Sequence, residues 1–409
     1  MLRLSDEKVE ALSQAAERLR RDMVELTQKL VAIPTANPPG EEYIRAVEEL
    51  EAALRRLGLK PQIIRVPGSD AYPRFCLLAS WGAGERLLQF HGHYDVVPAA
   101  HPSQYAPRLE GGYLYGRGSS DMKGGLAAML FALRALEEAG VPLDGRILIS
   151  LVPDEETGGR LGTNYLWEQG YLQSGVVGML MPEPTSSVIW NANRGALSMK
   201  VTVHGRPAHV GLECRGVNAF LGMLKAASAL AELRERVGQR LTKFDVDPPE
   251  ARRSILLLGG TCGGGVNFNL VPPECFFTLD RRPNPEENLE EAKAEVLAVL
   301  QEQRRQGIDL DWEVLQEGQP ARTSTESELA QALAAAIERA TGAPARFEMC
   351  PGLTELRFFV PRGVPALIYG PGLVEVSHGP GEYLVVDDLR RVCLVYSLVA
   401  AELLAPTAG

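Results

Sequence analysis

The chain has 409 residues, two to three times a typical single-domain length, so two hydrophobic cores are expected rather than one. Its 45% hydrophobic and 23% charged residues are the balance of an ordinary globular protein, which excludes a disordered or collagen-like chain. Forty-two Lys and Arg residues against 52 Asp and Glu residues give a formal net charge of −10. That charge repels phosphate backbones and anionic lipid, so nucleic acid is not an expected partner.

The sequence carries no signal for a membrane or an oxidising compartment. Its first residues are charged, and no apolar run reaches the roughly 18 residues that a bilayer span needs. The six cysteines are scattered and include no C-x-x-C pair, so we expect them to be reduced. These features predict a cytoplasmic protein without a membrane partner.

Helix and strand patterns alternate along the first 193 residues. Apolar residues at three- and four-residue intervals predict one amphipathic helix over 9–31, and a second helix is expected over 41–57. The following segments predict strands at 62–66, 74–80 and 86–90, a helix at 124–139, a strand at 146–152, a helix at 164–169 and a strand at 176–181. This alternation is typical of helices packed on a largely parallel sheet, with ligand-binding residues at the strand ends.

The pattern changes after Asn193. Its elements are a strand at 197–203, a helix at 217–236, strands at 254–259 and 275–280, a helix at 289–305 and a strand at 311–315. This βαββαβ order is the ferredoxin-like arrangement. Beyond a polar joint at 320–325, the first pattern resumes with a helix at 329–340, a strand at 366–369 and a helix at 387–404. We therefore predict an α/β protein in which residues 1–194 and 317–409 form one discontinuous domain and residues 195–316 form an inserted domain.

The first polar cluster follows the predicted strand that ends at Phe90. It contains His93 and Asp95 in an H-x-D unit. In such a unit the imidazole can bind a metal with one nitrogen while the carboxylate accepts a hydrogen bond from the other. A histidine at a strand end can also be a structural hydrogen-bonding residue, so the unit alone leaves both interpretations open.

The second cluster is a glycine-rich turn that brings Asp121 to the start of a helix. Glycine-rich turns at helix starts also bind phosphate groups. Here no Lys-Ser or Lys-Thr follows at the P-loop spacing, and Asp121 replaces the third glycine of a dinucleotide fingerprint. We therefore discount a phosphate loop.

The third cluster places Glu155 beside Glu156 after another apolar strand. Adjacent carboxylates repel unless a cation neutralises them, and one can bind metal while the other takes a proton from water. A solvated acidic turn is the alternative. Glu183 follows the next apolar strand between two prolines, and His378 lies in a late loop rich in Gly and Pro.

The clusters together supply nitrogen and oxygen ligands and no thiolate. The set is His93, Asp121, Glu156, Glu183 and His378. It suits two Zn²⁺ ions per chain with one bridging carboxylate, and Co²⁺ or Mn²⁺ can substitute in such a site. Two ions about 3.5 to 4 Å apart favour metal-assisted hydrolysis of an amide.

The motifs resemble those of a known family. G-H-x-D-V-V-P, G-R-G-x-x-D-M-K-G-G, E-E-x-G, P-E-P-T and a late H-x-P-x-E occur in the family's order. The sequence is similar, over about residues 25 to 405, to the di-zinc amidohydrolases and peptidases that include acetylornithine deacetylase, succinyl-diaminopimelate desuccinylase, aminoacylase and glutamate carboxypeptidase. The resemblance implies a catalytic di-zinc domain at 1–194 and 317–409, a lid and dimerisation domain at 195–316, and a homodimer formed through that lid.

The resemblance also implies roles for the metal-site residues. Asp121 would bridge both ions, His93 and Glu183 would complete one site, and Glu156 and His378 would complete the other. It further implies a cis peptide bond between Asp121 and Met122.

Further roles carry over to residues outside the ligand set. Asp95 would orient His93, and Glu155 would be the general base. His209, in the lid, would reach into the partner subunit's site and stabilise the developing oxyanion.

Four positions match substrate-binding residues of the family: Asn269, Arg282, Thr354 and Arg357. Arg282 would clamp a carboxylate bidentately, with Arg357 as a second anion contact. A solvated surface arginine is the alternative for Arg282.

Three departures from the family pattern concern the substrate pockets. Glu355 stands where Asp is usual, Gly381 where Asn is usual, and Glu213 where Pro is usual. They leave the ligand set unchanged.

The expected activity is hydrolysis of the amide of a small N-acyl amino acid, acetyl or succinyl, to a carboxylate and a free amine. A dipeptidase or carboxypeptidase acting on short peptides is an alternative, because it needs the same carboxylate clamp and differs only in pocket shape. A non-catalytic binding protein would most simply have lost a ligand or the base, and here all are present.

Overall fold

The computed structural model describes residues 4–68 and 70–406. The helices are α1 (Asp6–Arg18), α2 (Arg20–Val31), α3 (Tyr43–Arg56), α4 (Gly124–Glu138), α5 (Thr163–Glu168), α6 (Ala219–Val237), α7 (Leu289–Arg305), α8 (Glu328–Thr341), α9 (Leu356–Phe359) and α10 (Val386–Leu404). The strands are β1 (Gln62–Val66), β2 (Arg74–Ala83), β3 (Leu87–His93), β4 (Arg108–Glu110), β5 (Tyr113–Tyr115), β6 (Gly145–Val152), β7 (Gly178–Met181), β8 (Ile189–Asn193), β9 (Ala196–His204), β10 (Ile255–Gly264), β11 (Glu274–Arg282), β12 (Leu310–Gly318), β13 (Ala321–Arg322), β14 (Phe347–Cys350), β15 (Ala366–Ile368) and β16 (Tyr383–Val385).

The chain divides into two compact units. The first comprises residues up to 191, 323–347 and from 358 onward, and the second comprises 192–322 and 348–357. The domain boundaries expected from the sequence, after residues 194 and 316, remain a prediction.

The first unit is built on a mixed sheet in the order β1-β2-β6-β3-β7-β15-β8. Its central strands β6, β3, β7 and β15 are parallel, and β1, β2 and β8 join antiparallel at the flanks. All residues of β3 and β7 are buried, as expected for parallel strands covered on both faces. The predicted α/β class with a mainly parallel central sheet is confirmed.

The N-terminal helix differs from its sequence prediction at one point. One helix is expected over 9–31, but α1 and α2 are separate and meet at Leu19. Backbone angles at Leu19 stay close to helical, with φ −79° and ψ −5°. The apolar periodicity continues across the boundary between α1 and α2, so the sequence pattern does not show where the first helix ends.

The second unit contains a four-stranded antiparallel sheet in the order β10-β11-β9-β12. Along the chain its elements run β9, α6, β10, β11, α7, β12, which is the βαββαβ order expected from the sequence. Its core includes Val201, Leu230 and Phe277. The segment 348–357 belongs to this unit, and its Met349 N donates to the carbonyl oxygen of Asp245 at 2.8 Å.

Within residues 4–68 and 70–406, no helix combines the length and apolar character that crossing a membrane requires.

Candidate metal centre

Three of the polar clusters lie at the carboxyl ends of neighbouring parallel strands. His93 is the last residue of β3, Glu155 and Glu156 follow β6, and Glu183 follows β7. Because β6, β3 and β7 are adjacent and parallel, their carboxyl ends share one edge of the sheet. The strand predicted to end at Phe90 continues to His93, so this histidine belongs to the sheet itself.

Six side chains form two groups with metal-binding potential. The His93 group consists of His93, Glu155 and Glu183, and the His378 group consists of Asp121, Glu156 and His378. Within each group, one ligand atom of every residue lies within 4.8 Å of the others. The five predicted ligands therefore meet in the first unit, together with the predicted base Glu155.

Asp121 lies between the two groups. Its Oδ1 is 3.4 Å from His93 Nε2, and its Oδ2 is 3.2 Å from His378 Nε2. The two carboxylate oxygens thus face two different imidazoles, an arrangement suited to a carboxylate shared by two cations. The Asp121–Met122 peptide bond is cis, as expected.

The remaining distances define each group. His93 Nε2 is 3.9 Å from Glu183 Oε1, and His378 Nε2 is 3.3 Å from Glu156 Oε2. Glu155 and Glu156 are neighbours in sequence, yet they belong to different groups. The two neighbouring glutamates can therefore serve two different roles.

Hydrogen bonds and burial shift the pKa values of three groups in this site. Burial alone would lower the pKa of His93, but hydrogen bonds with Asp121 and Asp95 outweigh it and raise that pKa well above its usual value. Hydrogen bonds with Asp121 and Glu156 raise the pKa of His378 to about 11. Burial raises the pKa of Glu156. Two imidazoles and the three carboxylates of the predicted ligand set, one of them lying between both imidazoles, are a donor set that fits two divalent cations of the zinc type.

Asp95 connects the imidazole to the acidic turn. It is fully buried, and its Oδ1 lies 3.3 Å from His93 Nδ1. Its two carboxylate oxygens also accept the backbone N–H groups of Glu155 and Glu156, each at 3.2 Å. One carboxylate therefore holds a predicted ligand and the backbone of both adjacent glutamates.

Asn37 supports Asp95 and was missed by the sequence analysis. Its side-chain nitrogen donates to Asp95 Oδ2 at 2.8 Å and to Thr157 Oγ1 at 2.9 Å. The available signal was a polar residue before two prolines and a glycine at 37–40. Such a turn predicts backbone geometry but does not indicate which side chain faces a distant site.

Arg117 and Glu382 lie in recognised motifs, but the sequence did not assign them a role. Glu382 Oε1 accepts the backbone N–H groups of Gly118, Ser120 and Asp121 at 2.9, 3.0 and 3.1 Å. Arg117 pairs with the other carboxylate oxygen, and its Nη2 donates to the carbonyl oxygen of His378 at 2.9 Å.

His91 is a structural residue of the sheet. Its Nδ1 lies 2.6 Å from Ser150 Oγ and its Nε2 lies 2.9 Å from Thr163 Oγ1, so both ring nitrogens have hydroxyl partners. It belongs to neither metal-binding group among the described residues. His91 therefore has a structural hydrogen-bonding role within β3.

His209 and Asn269 lie on adjoining segments of the second unit. His209 is exposed, and its Nδ1 accepts the backbone N–H of Gly211 at 3.2 Å. Val210 N donates to the carbonyl oxygen of Asn269 at 3.0 Å. The structure thus brings together two predicted functional segments that are about 60 residues apart.

The other predicted substrate residues of the second unit make contacts within it. Arg282 forms a two-bond ion pair with Asp280, through Nε at 2.8 Å and Nη2 at 2.9 Å. Thr354 is buried and donates to Asn193 Oδ1 at 3.2 Å. Arg357 Nη1 donates to the carbonyl oxygen of Thr354 at 2.9 Å.

A comparison with protein families identifies the chain. Residues 89–402 match the model of peptidase family M20/M25/M40, which is well over half of the sequence. The protein belongs to the M20 family. As a member of this metal-dependent family, it is a hydrolase that acts on amide bonds.

Individual M20 proteins resemble the chain over nearly its full length. It is 30% identical to a succinyl-diaminopimelate desuccinylase of Marinobacter nauticus over 373 residues, covering 88% of this chain and 93% of that protein. Among solved structures, the di-peptidase Dug1p of Saccharomyces cerevisiae has a TM-score of 0.77 at 14% identity, covering 98% and 100% of the two chains. The M20 metallo-carboxypeptidase Sso-CP2 of Sulfolobus solfataricus has a TM-score of 0.76 at 19% identity, covering 93% and 99%. At these identities the structural likeness establishes a shared fold.

Proposed function

We propose that this M20 hydrolase cleaves the amide bond of a small N-acyl amino acid, acetyl or succinyl, in the manner of a desuccinylase or deacetylase. The observation that carries the proposal is the pair of ligand groups that meet at Asp121. The nearly full-length similarity to a desuccinylase supports the acyl amino acid as substrate class. The protein would release a carboxylate and a free amine.

The metal site is proposed to hold two zinc ions per chain, for which cobalt or manganese can substitute. His93 and Glu183 would bind one ion, Glu156 and His378 the other, and Asp121 both. When bound, such ions polarise an amide carbonyl and lower the pKa of water.

Glu155 is the proposed general base. Its backbone is held by Asp95, which accepts its N–H at 3.2 Å, while its carboxylate lies beside His93 and Glu183. From that position it would take a proton from the attacking water and return it to the leaving nitrogen. Asp95 would hold the orientation of His93 through Nδ1.

Arg282 is the proposed clamp for the substrate carboxylate. Asp280 engages the edge of its guanidinium formed by Nε and Nη2. A guanidinium has a second two-donor edge, formed by Nη1 and Nη2, that matches a carboxylate. The ion pair would thus hold the arginine in an orientation that presents this second edge. Asn269, Thr354 and Arg357 are the other proposed substrate contacts.

A homodimer formed through the second unit is proposed as the active assembly. Large apolar side chains are exposed in the second unit, including Val210 beside His209 at 58%, Leu221 at 50% and Phe268 at 98% exposure. Exposed apolar side chains of this size are typical of protein interfaces. His209 would enter the partner's site and stabilise the developing oxyanion.

A substrate panel tests the proposed activity. Zinc-loaded protein is incubated with N-succinyl amino acids, N-acetyl amino acids and dipeptides, and amine release is measured. The proposal predicts a higher kcat/KM for the acyl amino acids. A preference for dipeptides, or for removal of a C-terminal residue from short peptides, would instead support a dipeptidase or carboxypeptidase.

Metal analysis tests the proposed ions. Two zinc ions per chain are expected at saturation, and exhaustive chelation should abolish amine release. No more than one tightly bound ion in excess zinc, or activity that survives chelation, would contradict the assignment.

A further inference from the structure

The His378 group is assembled from segments that are distant in the sequence. Asp121 precedes α4, and His378 lies in the loop between β15 and β16. Both segments contact one buried ion pair, Arg117 with Glu382. The side chains of this pair are 2% and 0% exposed.

Glu382 holds the backbone of the Asp121 turn. One of its carboxylate oxygens accepts three backbone N–H groups, including that of Asp121 at 3.1 Å. The carbonyl oxygen of Glu382 also accepts the N–H of Gly116 at 3.0 Å. A carboxylate that accepts several converging N–H groups determines where that turn lies.

Arg117 holds the backbone of His378. Its Nη2 donates to the carbonyl oxygen of His378 at 2.9 Å, while its Nη1 pairs with Glu382. His378 has φ +64°, a left-handed conformation that a residue with a side chain adopts only where its surroundings stabilise it. The arginine therefore ties this residue to the same carboxylate that holds Asp121.

The His93 group is held in another way. The backbone of His93 is a strand residue opposite Val152, and Glu183 follows β7, whose Met181 lies opposite Ile368. Sheet pairing fixes these positions without Arg117 or Glu382. The two groups thus differ in what determines their geometry.

We propose that Arg117 and Glu382 are positioning residues that affect the metal affinity of the His378 group more strongly than that of the His93 group. This inference rests on the metal-binding role proposed above. Residues that orient ligands without touching the metal typically contribute 10- to 100-fold to affinity.

The test is titration of metal-free protein with Zn²⁺ by isothermal calorimetry. In Glu382→Gln, which keeps the shape but removes the charge, the ion of the His378 group should bind about 10- to 100-fold more weakly. The other ion shares only Asp121 with this group, while His93 and Glu183 are held by the sheet, so it should weaken by a clearly smaller factor. His378→Ala serves as the reference that identifies which binding step belongs to which group.

Two further variants separate positioning from general stability. Arg117→Lys retains the charge but loses the second donor edge, so it should weaken the same binding step by a smaller factor. Glu287→Gln breaks the buried Arg281–Glu287 pair of the second unit and should leave both steps unchanged.

The possible outcomes are distinct. Equal weakening of both ions by Glu382→Gln, or no change in either, overturns the inference while the two-ion proposal stands. Wild-type protein that binds fewer than two zinc ions overturns the metal assignment and the inference with it.

Discussion

At the scale of single residues, the chemistry depends on two adjacent carboxylates with different surroundings. Glu156 lies with Asp121 and His378, and Glu155 lies with His93 and Glu183. The N–H groups of both glutamates bond to one buried aspartate, Asp95. Asp95 thus holds the backbone of the turn that carries both glutamates. The direction of each glutamate side chain then determines which metal-binding group it joins.

Substitution of each glutamate by glutamine tests this division. Glu155→Gln should retain both ions and the fold but lower kcat by roughly 10² to 10⁴, the contribution of a positioned proton-transfer group. Glu156→Gln should weaken metal binding first. The measurements are zinc content and kcat at saturating zinc. Loss of metal from the Glu155 variant, with metal retained and rate lost in the Glu156 variant, would reverse the assignment.

At the scale of secondary-structure elements, close backbone contacts position Glu183. The Pro182–Glu183 segment lies between Gly125 of α4 and Gly370 after β15. A Cβ atom at Gly125 would be 2.0 Å from the carbonyl oxygen of Pro182, and one at Gly370 would be 2.3 Å from that of Glu183. Helix α4 can approach this segment only because its second residue is glycine.

Gly125→Ala should therefore displace the segment that carries Glu183. Overpacking of this kind costs about 1 to 3 kcal/mol of unfolding free energy, and we expect zinc binding by the His93 group to weaken as well. Gly238→Ala at the end of α6 is the control, since its Cβ would be 3.3 Å from the nearest atom and its backbone is helical. Denaturant unfolding and zinc titration measure the two effects. Unchanged zinc affinity in Gly125→Ala would show that Glu183 does not depend on this contact.

A second element-scale contact joins β11 to the loop before α7. Arg281, fully buried, pairs with Glu287 at 2.7 Å, and Ser254 also donates to this carboxylate. Burial alone would raise the pKa of Glu287, but the hydrogen bond from Ser254 and the charge of Arg281 outweigh it and lower that pKa below its ordinary value of 4.5. The pair therefore contributes stability above pH 4.5, and the contribution is lost as pH falls through the lower pKa of the folded state.

Glu287→Gln should lower the unfolding free energy by about 3 to 5 kcal/mol at pH 7, because it leaves the Arg281 charge buried without its partner. Below pH 4.5 the difference from wild type should shrink. Urea unfolding between pH 7 and pH 3 measures it, with Glu302→Gln on the exposed face of α7 as a control that should change little. A difference that stays constant with pH would contradict the assigned pKa.

At the scale of the whole molecule, the proposed dimer makes a prediction about complementation. If His209 serves the partner's site, a mixed dimer of Glu155→Ala and His209→Ala chains contains one intact site of two. With random exchange half of the dimers are mixed, so activity should return to roughly one quarter of wild type from two nearly inactive parents. Amine release measures the activity of the mixture, and native mass measurement shows whether mixed dimers have formed. Confirmed exchange without recovered activity would show that His209 does not act across the dimer.

The sequence by itself determined the fold class, the order of the main helices and strands and the set of ligand candidates. Apolar runs and periodicity are local properties, and they placed β1 at Gln62–Val66 and α7 at Leu289–Arg305 with the bounds that the structure has. The motifs selected His93, Asp121, Glu156, Glu183 and His378. His93, Glu156 and Glu183 meet because parallel neighbouring strands end at one edge of the sheet.

Only the tertiary structure decided which residues support that set. The contact of Asn37 with Asp95, and the contacts of Glu382 with the Asp121 turn, join segments that no local pattern relates. The structural role of His91 likewise depends on hydroxyls from Ser150 and Thr163, which lie on other elements. A hydrogen bond between distant segments is determined by the packing of the elements that carry them, and the sequence of either segment alone does not record it.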